Sequence, residues 1–345
     1  MSADPLPFWK RLLSSRGFWP ITGLALLLLF DLVYTTDFFR HESSFFRLEI
    51  RDGHLYGTLI DILNQGSKGI LLALGMTLVI ATGGVDLSVG AVMAISGVIA
   101  ALLATQTNIP FPVVIALALV ATLVAGLWNG ALVAYVGVQP IVATLILMVA
   151  GRGVALLFTD GQIITFTHEP LVYVGNGHFL GLPFTTTIVA VVFLALALLT
   201  RKTSLGMFIE STGDNERASG FCGLNVRAIK LLVYGFSGVC AGVAGLIATS
   251  NIKAADSSRV GENMELDAIC AVVVGGTSLS GGRFTLVGSI IGAILIQTLT
   301  TTMYGLGVPP AVAPVPKALV VVAVCLLQSE TFRTKVRRLF KRSST

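Results

Sequence analysis

The chain has 345 residues, 54% of them hydrophobic and 12% charged, with a mean hydropathy of +0.86. A soluble domain carries about a quarter charged residues, so this composition excludes a water-soluble globule and describes an integral membrane protein. The net charge of +5 does not point to nucleic acid. Six of the 23 basic residues (Arg333, Lys335, Arg337, Arg338, Lys341, Arg342) crowd the tail behind an apolar segment, as an anchor facing anionic membrane lipid does.

A helical span needs about 20 apolar residues. Ten crossings are predicted, at 18–36, 57–82, 88–104, 111–135, 140–158, 183–199, 230–249, 266–277, 284–305 and 313–329. The fold class is therefore all-α, a polytopic bundle of about ten transmembrane helices with an internal repeat and broken helices. The second stretch is overlong and carries Asp61, Asn64, Gln65 and Lys68, so it is expected to be broken or strongly tilted. The eighth is too short to cross alone and reads as a half-helix or re-entrant segment. The domain plan is a cytoplasmic segment 1–17, a transmembrane domain 18–329 with a cytoplasmic loop over 201–230, and a basic cytoplasmic tail 330–345. The first apolar run lacks a small-x-small cleavage site and reads as a retained anchor.

Charge orients this topology. With both termini inside, fifteen of the 23 Lys and Arg residues fall in inner segments and six in outer loops, as the positive-inside rule requires. Thr159–Thr185, an outer loop in this arrangement, has none.

One motif occurs twice. GGVDLSVG runs from Gly83 to Gly90 and GGTSLSGG from Gly275 to Gly282, sharing Gly-Gly-x-x-Leu-Ser-x-Gly. Each copy follows one apolar run and precedes another. Duplicated breaks between hydrophobic helices mark the pathway in transporters built from related halves. Gly83, Gly84, Gly90, Gly275, Gly276 and Gly282 are the expected hinge residues. The span count puts both copies on the inner side, whereas an inverted repeat puts them on opposite sides. A double crossing by 57–82 would restore the inversion at the expense of terminal parity.

Chemistry-bearing patterns are few. No GxxxxGK[ST], GxSxG or HExxH string occurs, and the cysteines and histidines lack metal-ligand spacing. No catalytic residue, cofactor or metal is expected, and any uphill transport draws its energy from an ion gradient or another subunit. Ionisable groups in spans are functional candidates. Asp86 sits in the first break, either to bind a hydroxyl or to cap the helix beginning near Ser88. The second copy has Ser278 there, which favours capping. Arg152 is expected to reach the outer surface or to pair with Asp160. Asp86, Ser88, Asn64, Asn129, Gln139, Thr144 and Gln297 are the candidate pathway residues, being hydrogen-bonding groups suited to a neutral polyol. The loop Arg201–Lys230 is long for a connector. Ile209–Ala218 reads as a short amphipathic helix that Thr212 or Asp214 caps, a handle for a cytoplasmic partner.

At these motifs the chain resembles the permease subunits of bacterial sugar ATP-binding cassette (ABC) importers, the ribose, xylose, arabinose and galactose permease family. The resemblance rests on ALGMTLVIATGGVDLSVGAVMAISG, on ELDAICAVVVGGTSLSGGRF and on the loop pattern G-x6-G-x-N-x-x-A ending at Ala218. The string QPIVATLILMVAGRGVALLFTDGQIITF is most similar to the galactofuranose branch. The resemblance implies an inner-membrane subunit that translocates a neutral monosaccharide, with galactofuranose the leading candidate, and has no ATPase site of its own. It implies a cytoplasmic ABC ATPase, a periplasmic sugar-binding protein and a second permease as partners, a heterodimer being favoured over a homodimer. It places the ATPase-coupling helix on 201–226, where Gly206, Gly213, Asn215, Ala218 and Gly223 match the pattern, as does Asn225. Met207, Asp214 and Ser219 depart from it. The alternative reading from the residues is an ion-coupled secondary transporter using Asp86 or Asp61.

Overall fold

A computed structural model describes residues 18–34, 48–51 and 53–328. The segment 1–17 and the tail 330–345 lie outside the described residues. The described chain forms thirteen helices and three two-stranded pairings. Seven helices are long and apolar enough to cross a bilayer: α2 (Thr58–Ala81), α3 (Val89–Gln106), α4 (Phe111–Ala131, continued by a π-turn over Leu132–Val136), α5 (Pro140–Thr159), α7 (Phe184–Lys202), α10 (Val226–Ile252) and α12 (Leu286–Gly305). Two shorter apolar helices, α1 (Phe18–Tyr34) and α13 (Pro314–Gln328), flank α12. The remaining four are α6 (Glu169–Asn176), α8 (Leu205–Asp214), α9 (Glu216–Phe221) and α11 (Met264–Val274).

The bundle has two ends. One carries α8 and α9, and is called the loop end. The other carries β1 (Glu49–Arg51) paired with β2 (His54–Tyr56), β4 (His178–Phe179) paired with β5 (Leu182–Pro183), and β3 (Ile164–Thr165) paired with β6 (Ala254–Ala255). At this hairpin end the Leu55 N–H donates to the Gly181 carbonyl, and His54 stacks on His178 with ring centroids 4.4 Å apart. Burial, and to a lesser degree nearby His54, lowers the His178 pKa, which favours the neutral ring in that stack.

α10 is the axis of the fold, packed against α2, α3 and α4. Gly235, Gly238, Gly242 and Gly245 recur along it at helical spacing. A Cβ at Gly238 would collide with the Thr122 carbonyl of α4 and stand 3.0 Å from Gly126 Cα, and one at Gly245 would collide with Met93 of α3. Small residues let backbones approach where no water drives helices together. The helices outside this core keep apolar side chains outward, such as Leu117, Val124, Val149, Val191 and Leu198, as a lipid-facing surface must.

α2 is one unbroken helix of 24 residues, not the broken span expected. At 1.5 Å per residue it is about 36 Å long, enough to carry its first turns to the membrane surface. Its polar residues lie in those turns and need no break. Thr185 donates to Asn64 Oδ1 at 2.8 Å, and Lys68 Nζ donates to Gln65 Oε1 at 2.7 Å.

α11 is the half-helix expected, only 11 residues long. The chain leaves α10 at the hairpin end and descends as irregular backbone from Lys253 to Asn263. At its foot Gly261 lies so close to Gly90 that a Cβ on either would collide with the other's backbone. Both repeat units therefore run in one sense: α2 and α11 lead toward the loop end, and α3 and α12 lead away. The repeat is parallel rather than inverted, with both motifs at the loop end.

The glycine seam sets a stability expectation. Gly238→Leu should destabilise the detergent-solubilised protein by about 1–3 kcal/mol, as overpacking does, read as a fall in melting temperature. Gly153→Ala, where an added Cβ meets nothing within 4 Å, should leave it unchanged.

Candidate functional site

The two Gly-Gly pairs end their helices by the same device in different registers. After α2, the Gly83 N–H donates to the Ile80 carbonyl (2.9 Å) and Gly84 to Val79 (3.1 Å), with Gly83 at φ +78°. After α11, Gly276 donates to Val273 (2.9 Å) and Thr277 to Val272 (3.2 Å), with Gly276 at φ +87°. Each is a Schellman closure around a left-handed residue. The left-handed role falls on the first glycine of one pair and on the second of the other. The spare glycine then serves close approach: a Cβ at Gly84 would stand 2.5 Å from the Tyr234 hydroxyl, and one at Gly275 would stand 2.5 Å from the Gly288 backbone.

The two copies meet. The Gly282 N–H donates to the Ala81 carbonyl at 3.0 Å, and a Cβ at Gly281 would lie 3.0 Å from Gly83 N. α8 enters the same junction through Gly213, where a Cβ would collide with the Ala81 carbonyl and stand 2.5 Å from Gly282 N. Thr77 of α2 and Ser289 of α12 are joined at 2.7 Å just above. The junction thus ties both breaks to the loop helices through backbone contacts that no side chain can enter.

Four of the seven pathway candidates converge behind the first break. Asp86 Oδ1 accepts from the Ser88 N–H (3.0 Å) and Ser88 hydroxyl (2.6 Å), and Oδ2 accepts from the Ser237 hydroxyl of α10 (2.9 Å). Asn129 Nδ2 of α4 donates to Ser88 Oγ at 2.9 Å. Thr144 of α5 donates to the Pro140 carbonyl at 2.9 Å and lies 3.4 Å from the Val85 carbonyl. Asp86, Ser88, Asn129, Thr144 and Ser237 are each at most 1% exposed. The bonds from Ser88 close a turn just before α3, whose own cap residue Ser88 makes no side-chain cap bond, and Ser237 ties that turn to α10. Asn64 and Gln297 stand apart, half-buried on α2 and α12, and Gln139 is exposed at the start of α5. Gln297 packs on Gly66, which has no side chain to hold it off.

Of the loop candidates, Gly206 closes on Thr200, Asn215 caps α9 by accepting from the Ala218 N–H at 3.0 Å, and Gly223 takes the left-handed turn at φ +85° before α10. Asn225 caps α10 in the same way, at 3.1 Å. The expected single helix is two, α8 and α9, and Asn215 between them is the cap. Thr212 is buried within α8, and Asp214 is its last residue, so neither caps. Arg152 does not pair with Asp160. Its Nη1 donates to the Ser257 (3.0 Å) and Val260 (2.6 Å) carbonyls of the descending segment. Sequence reading passed over Ser237 and Tyr234, which look like ordinary span residues until α10 meets the break. Among the described residues, no group of three or more His, Cys, Asp and Glu side chains lies close enough to hold a metal.

A family model described as the branched-chain amino acid transport system / permease component matches residues 58–327. The galactofuranose transporter permease protein YtfT of Escherichia coli is 49% identical over 328 residues, covering 95% of both chains. The fructose import permease protein FruF of Bifidobacterium longum is 40% identical over 327 residues, covering 93% of this chain and 90% of its own. The ribose import permease protein RbsC of Escherichia coli is 37% identical over 312 residues, covering 89% and 92%.

The hydrogen bonds at the first break fix an expectation at Asp86. Asp86→Ala leaves the Ser88 N–H and two hydroxyls without their acceptor and should cost about 1–3 kcal/mol. Asp86→Asn keeps an acceptor and should recover most of the thermal stability in the same melting assay.

Proposed function

The chain belongs to this permease-component family, and on that premise we propose that it is the membrane subunit of an ABC importer for a neutral monosaccharide. The identity of 49% over 95% of both chains to a galactofuranose permease is the observation that carries the sugar assignment and makes galactofuranose the leading candidate. The fructose and ribose relatives support a neutral, hydroxylated solute as the class.

In this reading the loop end is cytoplasmic, as are both termini, in keeping with the inward bias of Lys and Arg. The engine is a separate ATPase that docks on α8 and α9. Phe221 at the end of α9 supports that site: it is 92% exposed, beside a cleft of about 700 Å³ that includes Tyr135, Arg217 and Arg227. An aromatic side chain left in water next to cations is a natural anchor for a partner. Motion of α8 passes to both breaks through Gly213, since the contact there is backbone on backbone. A periplasmic sugar-binding protein delivers the solute at the hairpin end, and a second permease, a different chain by preference, completes the path. The ion-coupled alternative is not retained, because the relatives matched over most of the chain are sugar import or transporter permeases.

Reconstitution tests the proposal. Proteoliposomes holding this chain, its ATPase and its binding protein should take up sugar only with ATP inside, and a protonophore should leave uptake intact. ATP-independent accumulation by the lone chain would refute it. Gly213→Leu should leave the protein inserted and the ATPase bound while uptake falls at least about tenfold, because a misplacement near 1 Å is enough to break a coupled step.

A further inference from the structure

The descending segment between α10 and α11 presents polar side chains where neither lipid nor packed protein accounts for them. Its depth follows from its contacts. Ser257 Oγ lies 3.1 Å from Thr159 Oγ1 at the hairpin end of α5. Further on, Gly261 is wedged against Gly90, whose neighbour Ala91 lies opposite Gly151 of α5. Gly151 is two turns before Thr159, roughly 12 Å down the helix. The segment therefore reaches well into the bundle as irregular backbone. Such backbone is tolerated at membrane depth only where protein buries it or where it lines water.

Both conditions hold here, on opposite faces. The inner face is buried: Ser257, Val260, Gly261 and Glu265 are covered, and Arg152 braces the Ser257 and Val260 carbonyls. Asp256 Oδ1 fixes the turn by accepting from the Ser258 N–H (3.0 Å), the Ser258 hydroxyl (2.6 Å) and the Arg259 N–H (3.1 Å). The other face is open: Ser258, Arg259, Glu262 and Asn263 are exposed. A charged side chain facing hydrocarbon is costly, and such residues face a water-filled cavity instead. Asn263 at φ +60° turns the chain into α11, and the Lys317–Asp267 ion pair (2.8 Å) between α13 and α11 bounds the same side.

We propose that Ser258–Asn263 is a polar shelf lining the outer half of the translocation path, and that Arg259, Glu262 and Asn263 are the groups that hydrogen-bond the hydroxyls of a passing neutral sugar. One cation, one anion and one amide supply donors and acceptors together with no net charge. That set replaces the water around a polyol without selecting an ion. The rigid inner face holds the shelf at fixed depth while the side chains above it remain free to exchange partners. This inference rests on the permease reading and names the part of the path that meets the solute.

Two measurements test it. In the complete transporter in proteoliposomes, with radiolabelled D-galactose, D-fructose and D-ribose as probes, Glu262→Ala and Asn263→Ala should each lower ATP-driven uptake at least about fivefold, the worth of one hydrogen bond. ATP hydrolysis stimulated by the loaded binding protein should persist, which shows that the variants fold and assemble. In parallel, Glu262→Cys should react with a membrane-impermeant sulfonated thiol reagent added from the hairpin side at least about tenfold faster than Val191→Cys on the lipid face of α7, because the thiolate that reacts forms only in water. Wild-type uptake in both alanine variants, or labelling at residue 262 no faster than at 191, overturns the shelf while leaving the permease reading intact. Wild-type proteoliposomes that take up none of the three sugars with ATP overturn the permease reading instead.

Discussion

The bond from the Gly282 N–H to the Ala81 carbonyl carries the architecture. A helix end buried in packed protein leaves carbonyls without partners unless a turn or a neighbour satisfies them. α2 closes two of its last carbonyls with its own Schellman turn and hands another to the second copy of the motif. The two breaks are therefore one structural unit. Neither can be re-formed in isolation without exposing an unpaired backbone group, which costs more than any single packing contact nearby. Gly213 then sits against the same carbonyl, so the loop helices abut a bond that joins the two halves.

That constraint explains the distribution of glycine better than flexibility does. The residues around the junction are closely packed, and several would meet backbone atoms if given a Cβ. Close backbone contact transmits displacement, because interiors at this density are poorly compressible. A joint of this kind moves as a piece or not at all. The seam along α10 has the same character, and the first break is tied to it through Ser237 and Tyr234.

Much of this was legible in the chain, for physical reasons that also mark where legibility stops. Apolar length identified the spans, and the shortness of the 266–277 run identified α11 as a half-helix, because bilayer thickness sets a ruler that sequence can be held against. The motif glycines stood out by type and spacing, whereas Asn215 was marked only by the family resemblance and the expected caps were Thr212 or Asp214. The parallel sense of the repeat followed from the span count but was left open, since a double crossing by 57–82 would have inverted it. Of the two expectations for 57–82, broken or strongly tilted, the break misread polar side chains as a backbone property: Asn64 and Lys68 find partners from an intact helix. Arg152 was expected to reach the outer surface or to pair with Asp160, whereas its hydrogen-bond partners are carbonyls about a hundred residues away. The descending segment read as an ordinary outer loop, because its depth is set by Gly261 meeting Gly90 and by nothing local.

Burial, rather than charge, separates the polar groups that hold this fold from those that face a path. Asp86 is an ionisable residue in the middle of the bundle, and that alone made it the sharpest candidate. Yet three hydrogen bonds enclose its carboxylate, and Ser88 beside it is engaged from the far side by Asn129. A group so enclosed must lose those bonds before it can touch a solute, at a cost well above what a sugar hydroxyl returns. Arg259, Glu262 and Asn263 face the opposite balance. They are open at a depth where openness to lipid is prohibitive, so water must reach them, and whatever displaces that water has to offer hydrogen bonds in return. A neutral polyol does so without leaving a charge behind. On the same reasoning we propose that the motif glycines and the Asp86 cluster frame the passage, and that contact with the cargo falls to a segment whose residue types alone gave no sign of it.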